Sequence, residues 1–191
     1  MKALALAAAA AFLVTGCTTM NVTDAWKDPS FTGPPAHHVL VVGVARSSTT
    51  RRVFEDEFSA QLRAVGVEAT SSYKTTGEDE TEAKIKDLVA RSGADALLVT
   101  RLQRVQQKTQ VSGGAYYTGG FYGWYGGAYA SSPTVTQYDE VTLETTVWSA
   151  KNEKMVWAVT TKNIGTSDVD GKTRALAQEL IPKLKADGVI R

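Results

Sequence analysis

The period of apolar and polar positions changes along this chain, and each change marks an element. Ala3 to Val14 is an uninterrupted run of 12 uncharged apolar positions. A helix needs about 20 such residues to cross the ~30 Å hydrocarbon core of a bilayer. Thr18 to Ala36 has no period and carries Asp28-Pro29 and Gly33-Pro34-Pro35, the composition of a tether. Fully extended, 19 residues would reach about 65 Å, less if Trp26 and Phe31 fold back on a domain.

Regular patterning starts with His38-Val39-Leu40-Val41-Val42-Gly43-Val44, a continuous aliphatic run expected of a strand covered on both faces. Phe54, Phe58, Leu62 and Val65 then recur at helical spacing up to Gly66, a residue suited to ending a helix. Glu55, Asp56 and Glu57 are placed in its early turns, where the helix dipole favours negative charge. Val67 to Tyr73 reads as a short strand and Lys74 to Glu80 as a loop. Asp79 and Glu82 have capping-box spacing ahead of a helix with Ile85, Leu88 and Val89 on one face, ended by Ser92-Gly93.

Ala94 to Leu102 is a further buried strand that runs on into an amide-rich stretch through Val111. Val141, Leu143, Thr145 and Val147 alternate with Glu140, Thr142, Glu144 and Thr146, the pattern of a strand with one wet face. Lys151 to Lys154 is its turn, and Met155 to Lys162 returns beside it, with Trp148 and Trp157 available to cover the sheet. The last helix starts near Asp168, carries Leu176, Ala177, Leu180, Ile181 and Leu184 on its apolar stripe, contains Pro182 and stops at Gly188. This order predicts an α/β fold: a mixed β-sheet of about five strands with three helices packed mainly on one face, in a single domain over 37–191.

One stretch fits no period. Residues 113–132, GGAYYTGGFYGWYGGAYASS, hold seven of the 16 glycines and seven of the 16 aromatic residues, without a charge. Glycine costs about 1 kcal/mol per residue in a helix interior, so the stretch is expected as a protruding Gly/aromatic loop between two strands. Tyr116, Tyr117, Phe121, Tyr122, Trp124, Tyr125 and Tyr129 would offer flat amphipathic faces to protein, glycan or a membrane interface. The competing reading is a low-complexity insertion without a specific partner.

Charge and chemistry narrow the picture further. The formal net charge is +1, without the basic excess of a nucleic-acid surface. The single cysteine, Cys17, excludes an intramolecular disulfide and a cysteine-based metal cage. His37 and His38 are the only histidines; adjacent positions in an extended chain face opposite ways, which disfavours a shared metal. Gly43 follows a buried strand, but 43–48 matches neither dinucleotide-binding nor P-loop spacing, so a tight strand-to-helix turn is expected. Arg51 with Glu55 and Arg52 with Asp56 have i,i+4 spacing, read as a solvated helix face. Asp79 and Glu80 fall in a loop, and neither a GxSxG nor an HExxH motif is present. No catalytic, cofactor-binding or metal-binding residues are therefore assigned, and no enzyme activity is expected.

Lys2, the apolar run and Val14-Thr15-Gly16-Cys17 together resemble the signal and lipobox of bacterial lipoproteins. The resemblance implies cleavage after residue 16, acylation of Cys17 and a lipidated tether over 17–36. Thr18, in place of the aspartate typical of inner-membrane retention, favours the inner leaflet of the outer membrane, facing the periplasm. VLVVGVA, RRVFEDEF, GADALLVTRL, VTLETTVW and MVWA resemble an uncharacterised family of proteobacterial outer-membrane lipoproteins. The element order is more loosely similar to lipoprotein domains that activate peptidoglycan synthases or assemble secretion channels. These likenesses imply a non-enzymatic binding or scaffolding role, with the bilayer and an unidentified envelope protein or glycan as partners. A self-assembling pore or secretion component is the alternative, and a peptidoglycan hydrolase is disfavoured.

Overall fold

The computed structural model describes residues 20–76, 82–112, 134–165 and 168–191. The elements run β1 (Asn21–Lys27), β2 (His38–Val44), α1 (Ser48–Ala64), β3 (Glu68–Ser71), α2 (Tyr73–Thr76), α3 (Glu82–Ser92), β4 (Ala96–Ser112), β5 (Thr134–Ser149), β6 (Met155–Ile164) and α4 (Val169–Ala186). One mixed sheet has the order β1-β6-β5-β4-β2-β3. Strand β2 is parallel to both β3 and β4, and the remaining pairs are antiparallel.

The aliphatic run in β2 is covered on both faces, as its composition requires. Val39 and Val41 join the main core with Phe58, Leu62, Leu98, Trp157, Leu176 and Leu180, beneath α1 and α4. Leu40 and Val42 point the other way and meet Leu88 of α3. Helices α1 and α4 therefore share one face, while α3 covers only part of the other. Trp157 and Trp148 do not act together: Trp157 is buried in the main core, whereas Trp148 lies on the opposite face with its indole N–H donating to Thr146.

Helix α1 begins at Ser47, whose side chain accepts from the Thr50 N–H, and ends ahead of Gly66 at φ +85°. That start puts Glu55, Asp56 and Glu57 beyond the first turn. The dipole argument for them fails, because the effect decays within one turn. Asp168 caps α4 through the Gly171 N–H.

The fold adds two elements to the sequence expectation. Strand β1 lies within the stretch expected as a tether and pairs along β6 from Asn21↔Lys162 to Lys27↔Trp157. Met20 and Val22 pack on the main core, as does Phe31, while Trp26 stays 45% exposed. Helix α2 is a single turn that takes Tyr73 from the end of the expected strand and Lys74 to Thr76 from the expected loop. The proposed cap Asp79 lies outside the described residues.

Candidate functional site

The C-terminal end of β2, the middle of β4 at Thr100 to Val105, the N-termini of α1 and α4 and the end of β6 line a cleft of about 930 Å³. Its walls are apolar at Phe54, Leu102, Val105, Val141, Leu143 and Leu176. Thr100, Asn163 and Thr173 supply polar points, and Arg46 and Lys172 supply charge. The location follows from topology, since β2 ends here and hands over to α1 while its parallel neighbour β4 runs on. Hydroxyl and amide groups among apolar walls suit binding of a largely apolar guest. Much of the polar complement is already used: Thr100 and Thr145 hydroxyls are 2.9 Å apart, and Thr173 donates to the Val169 carbonyl at 2.7 Å.

Behind the cleft lies a buried charge network that the helix pattern placed on a solvated face. Arg51 is 4% exposed and Glu55 0%. The Arg51 Nε donates to Glu55 Oε1 at 2.9 Å. The same oxygen accepts from the Gly43 N–H at 3.0 Å and the Ser72 hydroxyl at 2.8 Å, while Oε2 accepts from the Tyr73 N–H at 2.9 Å. Arg51 Nη2 also reaches Ser72 Oγ at 2.9 Å. The solvated-face reading is therefore corrected for this pair. The turn between β3 and α2 closes over the carboxylate and excludes water, which helical spacing alone does not reveal.

Gly43 belongs to the same junction. A Cβ there would stand 2.9 Å from Phe54 Cδ1 and 3.5 Å from Glu55 Cγ, so its missing side chain lets β2 approach α1.

The neighbouring pair separates. Arg52 sits over the Tyr73 ring, 5.6 Å from its centroid. Asp56 meets Lys74 at 2.9 Å and accepts from the Ser71 hydroxyl at 2.8 Å and from the Tyr73 hydroxyl. Burial pushes the Asp56 carboxyl up, but the Tyr73, Lys74 and Ser71 contacts outweigh it and hold the group below its ordinary 3.8. The hydrogen bond to Asp56 raises the Tyr73 phenol.

His37 and His38 lie at the opposite end of β2 from the cleft. Their backbone N–H groups donate to Asp95 at 2.8 and 3.0 Å, and the His38 ring contacts the Thr70 hydroxyl at 2.9 Å. Among the described residues no three His, Cys, Asp or Glu side chains are grouped to hold a metal. Cys17, Asp79, Glu80 and the seven aromatic residues of 113–132 lie outside the described residues.

The described strands on either side of 113–133 show what carries it. Strand β4 pairs with β2 only as far as Arg101, and β5 pairs with β6 only from Glu140 onward. Both strands nevertheless stay paired with each other out to Ser112↔Thr134. Gln107 to Ser112 and Thr134 to Asp139 form a two-stranded ribbon beyond the sheet, with Val135 57% exposed on it and Leu102 and Val105, 53% and 52% exposed, on the three-stranded part at its root. The sequence pattern places Leu102 at the end of a buried strand, which its exposure corrects, and does not single out Val105 or Val135. A bulge between Leu102 and Arg104 shifts the register and replaces the strand period of two with a spacing of three between Leu102 and Val105.

No protein-family model and no curated protein matches the chain. Among solved structures it is similar to a dodecamer of PelC from Paraburkholderia phytofirmans, at 14% identity over 86% of this chain and 96% of that one, with a TM-score of 0.48. A PelC dodecamer in another crystal form gives 15% identity, coverages of 90% and 99%, and a TM-score of 0.47. Lipoprotein GNA1162 from Neisseria meningitidis gives 14% identity over 78% of this chain and 98% of that one, with a TM-score of 0.43.

Proposed function

We propose that this chain is a non-enzymatic lipoprotein of the bacterial envelope that binds or scaffolds another envelope component. It is held by acyl chains on Cys17 at the inner leaflet of the outer membrane, facing the periplasm. The observation that carries the binding role is the β4–β5 ribbon, whose two strands stay paired out to Ser112 and Thr134, the residues that flank the Gly/aromatic stretch in sequence. The compartment rests on the lipobox, Val14 to Cys17. No helix among the described residues is long and apolar enough to cross a membrane. Glu55, the fully buried carboxylate among the described residues, has both oxygens committed to fixed donors. It serves to join β2, α1 and the turn before α2.

Two measurements test this reading. Cys17→Ser should abolish metabolic labelling with lipid precursors, and persistent labelling would overturn the anchor. Photocrosslinkers at Tyr122 and Trp124 should trap one defined envelope component in cells, whereas a crosslinker at Lys151 should not. Identical adducts from all three positions would sink the binding role.

Self-association is the second reading, favoured by the backbone edge of β4 beyond Arg101, which no strand among the described residues covers. An open edge of this kind can accept a strand from another copy. Sedimentation of the acyl-free domain would support it through concentration-dependent oligomers. A strict monomer at high concentration would exclude it.

A further inference from the structure

Strand β1 changes how far the domain can stand from the membrane. Asn21 is paired with Lys162, and Met20 packs on the core with its sulfur 3.9 Å from Asn163 Nδ2. Only three peptide steps separate Met20 from Cys17. They span at most about 11 Å, far less than a tether of 19 residues would allow.

Met20 leaves the sheet at the end from which the ribbon projects. Asn163 is opposite Val141, and Val141 is opposite Val105, so the anchor chain departs level with Val105. From Val105 to Ser112 the ribbon continues for seven further strand positions, roughly 23 Å. A ribbon twice as long as the leash cannot point straight at the bilayer. Its far end would pass the headgroup layer, about 5–7 Å thick on each side, and carry open strand edges into hydrocarbon, where unpaired backbone groups are not tolerated. It must lie along the surface instead.

The register decides which face turns down. On the cleft face the ribbon carries Val135 with Gln107, Thr109 and Gln137, and Asp139 as its charged residue, while Leu102, Val105 and Val141 continue that face at the ribbon's root. Arg104, Lys108 and Glu140 share the other face. Apolar side chains favour the boundary between headgroups and acyl chains. Resting on the lipidation of Cys17, we infer that the domain docks directly on the bilayer, with the β4–β5 ribbon along the headgroup layer and its cleft face against lipid.

The test uses the full acylated chain in vesicles of phosphatidylethanolamine and phosphatidylglycerol. Acylation consumes the only native thiol, so single cysteines introduced as Val135→Cys, Lys108→Cys or Lys151→Cys can each carry one environment-sensitive fluorophore. All three positions are exposed, and circular dichroism before labelling confirms that each variant is folded. The probe at 135 should shift to the blue and be quenched by shallow spin-labelled lipid several-fold more than the probe at 108. The probe at 151, in the turn at the far end of the sheet, should behave as in water. Protein that floats with the vesicles but leaves the probe at 135 as wet as that at 151, or drier at 108 than at 135, overturns the docking alone. Protein that does not float overturns the lipid anchor and the docking with it.

Discussion

Glu55 and Arg51 form an ion pair inside the fold, so losing either removes a buried counter-charge from the other. Removing one partner of such a pair typically costs about 3–5 kcal/mol. Glu55→Leu should therefore lower the urea-derived stability by that order, while Arg51→Met/Glu55→Leu should recover much of it. A single variant within about 1 kcal/mol of wild type would show that water reaches the site, since that is the scale of an exposed pair. Gly43→Ala is expected to cost about 1–3 kcal/mol by overpacking, because the new methyl would meet the Phe54 ring at 2.9 Å. Asp56 gives the same junction a pH dependence. Its folded pKa lies below 3.8, so it adds stability above that value and loses it as the pH falls through the folded value. Asp56→Asn should be less stable than wild type at pH 7, and the gap should shrink as the pH falls below 3.8 and through the folded value; a constant gap would deny the linkage.

Elements differ in how much of them a sequence can show. Helices α1 and α4 were legible because each buries a regular stripe whose period survives in the residues, and β2 because burial on both faces leaves a continuous aliphatic run. Strand β1 was not legible: Val22 turns inward, the following positions are exposed, and a shift between Val22 and Asp24 breaks the alternation. The Arg51–Glu55 pair was visible as an i,i+4 spacing, but its burial depends on Ser72 and Tyr73 arriving from β3 and α2, a non-local event. The ribbon was read as an amide-rich continuation of β4 whose pairing with β5 no local pattern announces. That ribbon is also separable from the core. Gln106 to Gln110 and Val135 to Asp139 are exposed or half-buried, so replacing 107–139 by a two-residue Asn-Gly turn should leave the thermal midpoint almost unchanged. A large drop would mean that the ribbon or its tip packs on the body.

For the whole molecule, the two sheet edges are protected in different ways. Strand β3 is an edge of four residues, Glu68–Ser71, too short to template much. Strand β1 is longer, but it carries Asp24 and Lys27 and a register shift, features that discourage a further strand. Beneath it lies β6, whose Val156, Trp157 and Val159 are buried. An acyl-free domain starting at Asp28 would uncover the β6 edge and expose part of the core now covered by Met20 and Val22. Compared with a domain starting at Met20, it should melt at lower temperature and sediment as concentration-dependent oligomers. If both forms stay monomeric and melt together, β1 contributes little to closing the sheet. The short leash would then lengthen by the seven residues of β1 at small cost, and the orientation inferred for the bilayer would lose its constraint. The same truncation therefore measures how firmly the anchor point is built into the fold.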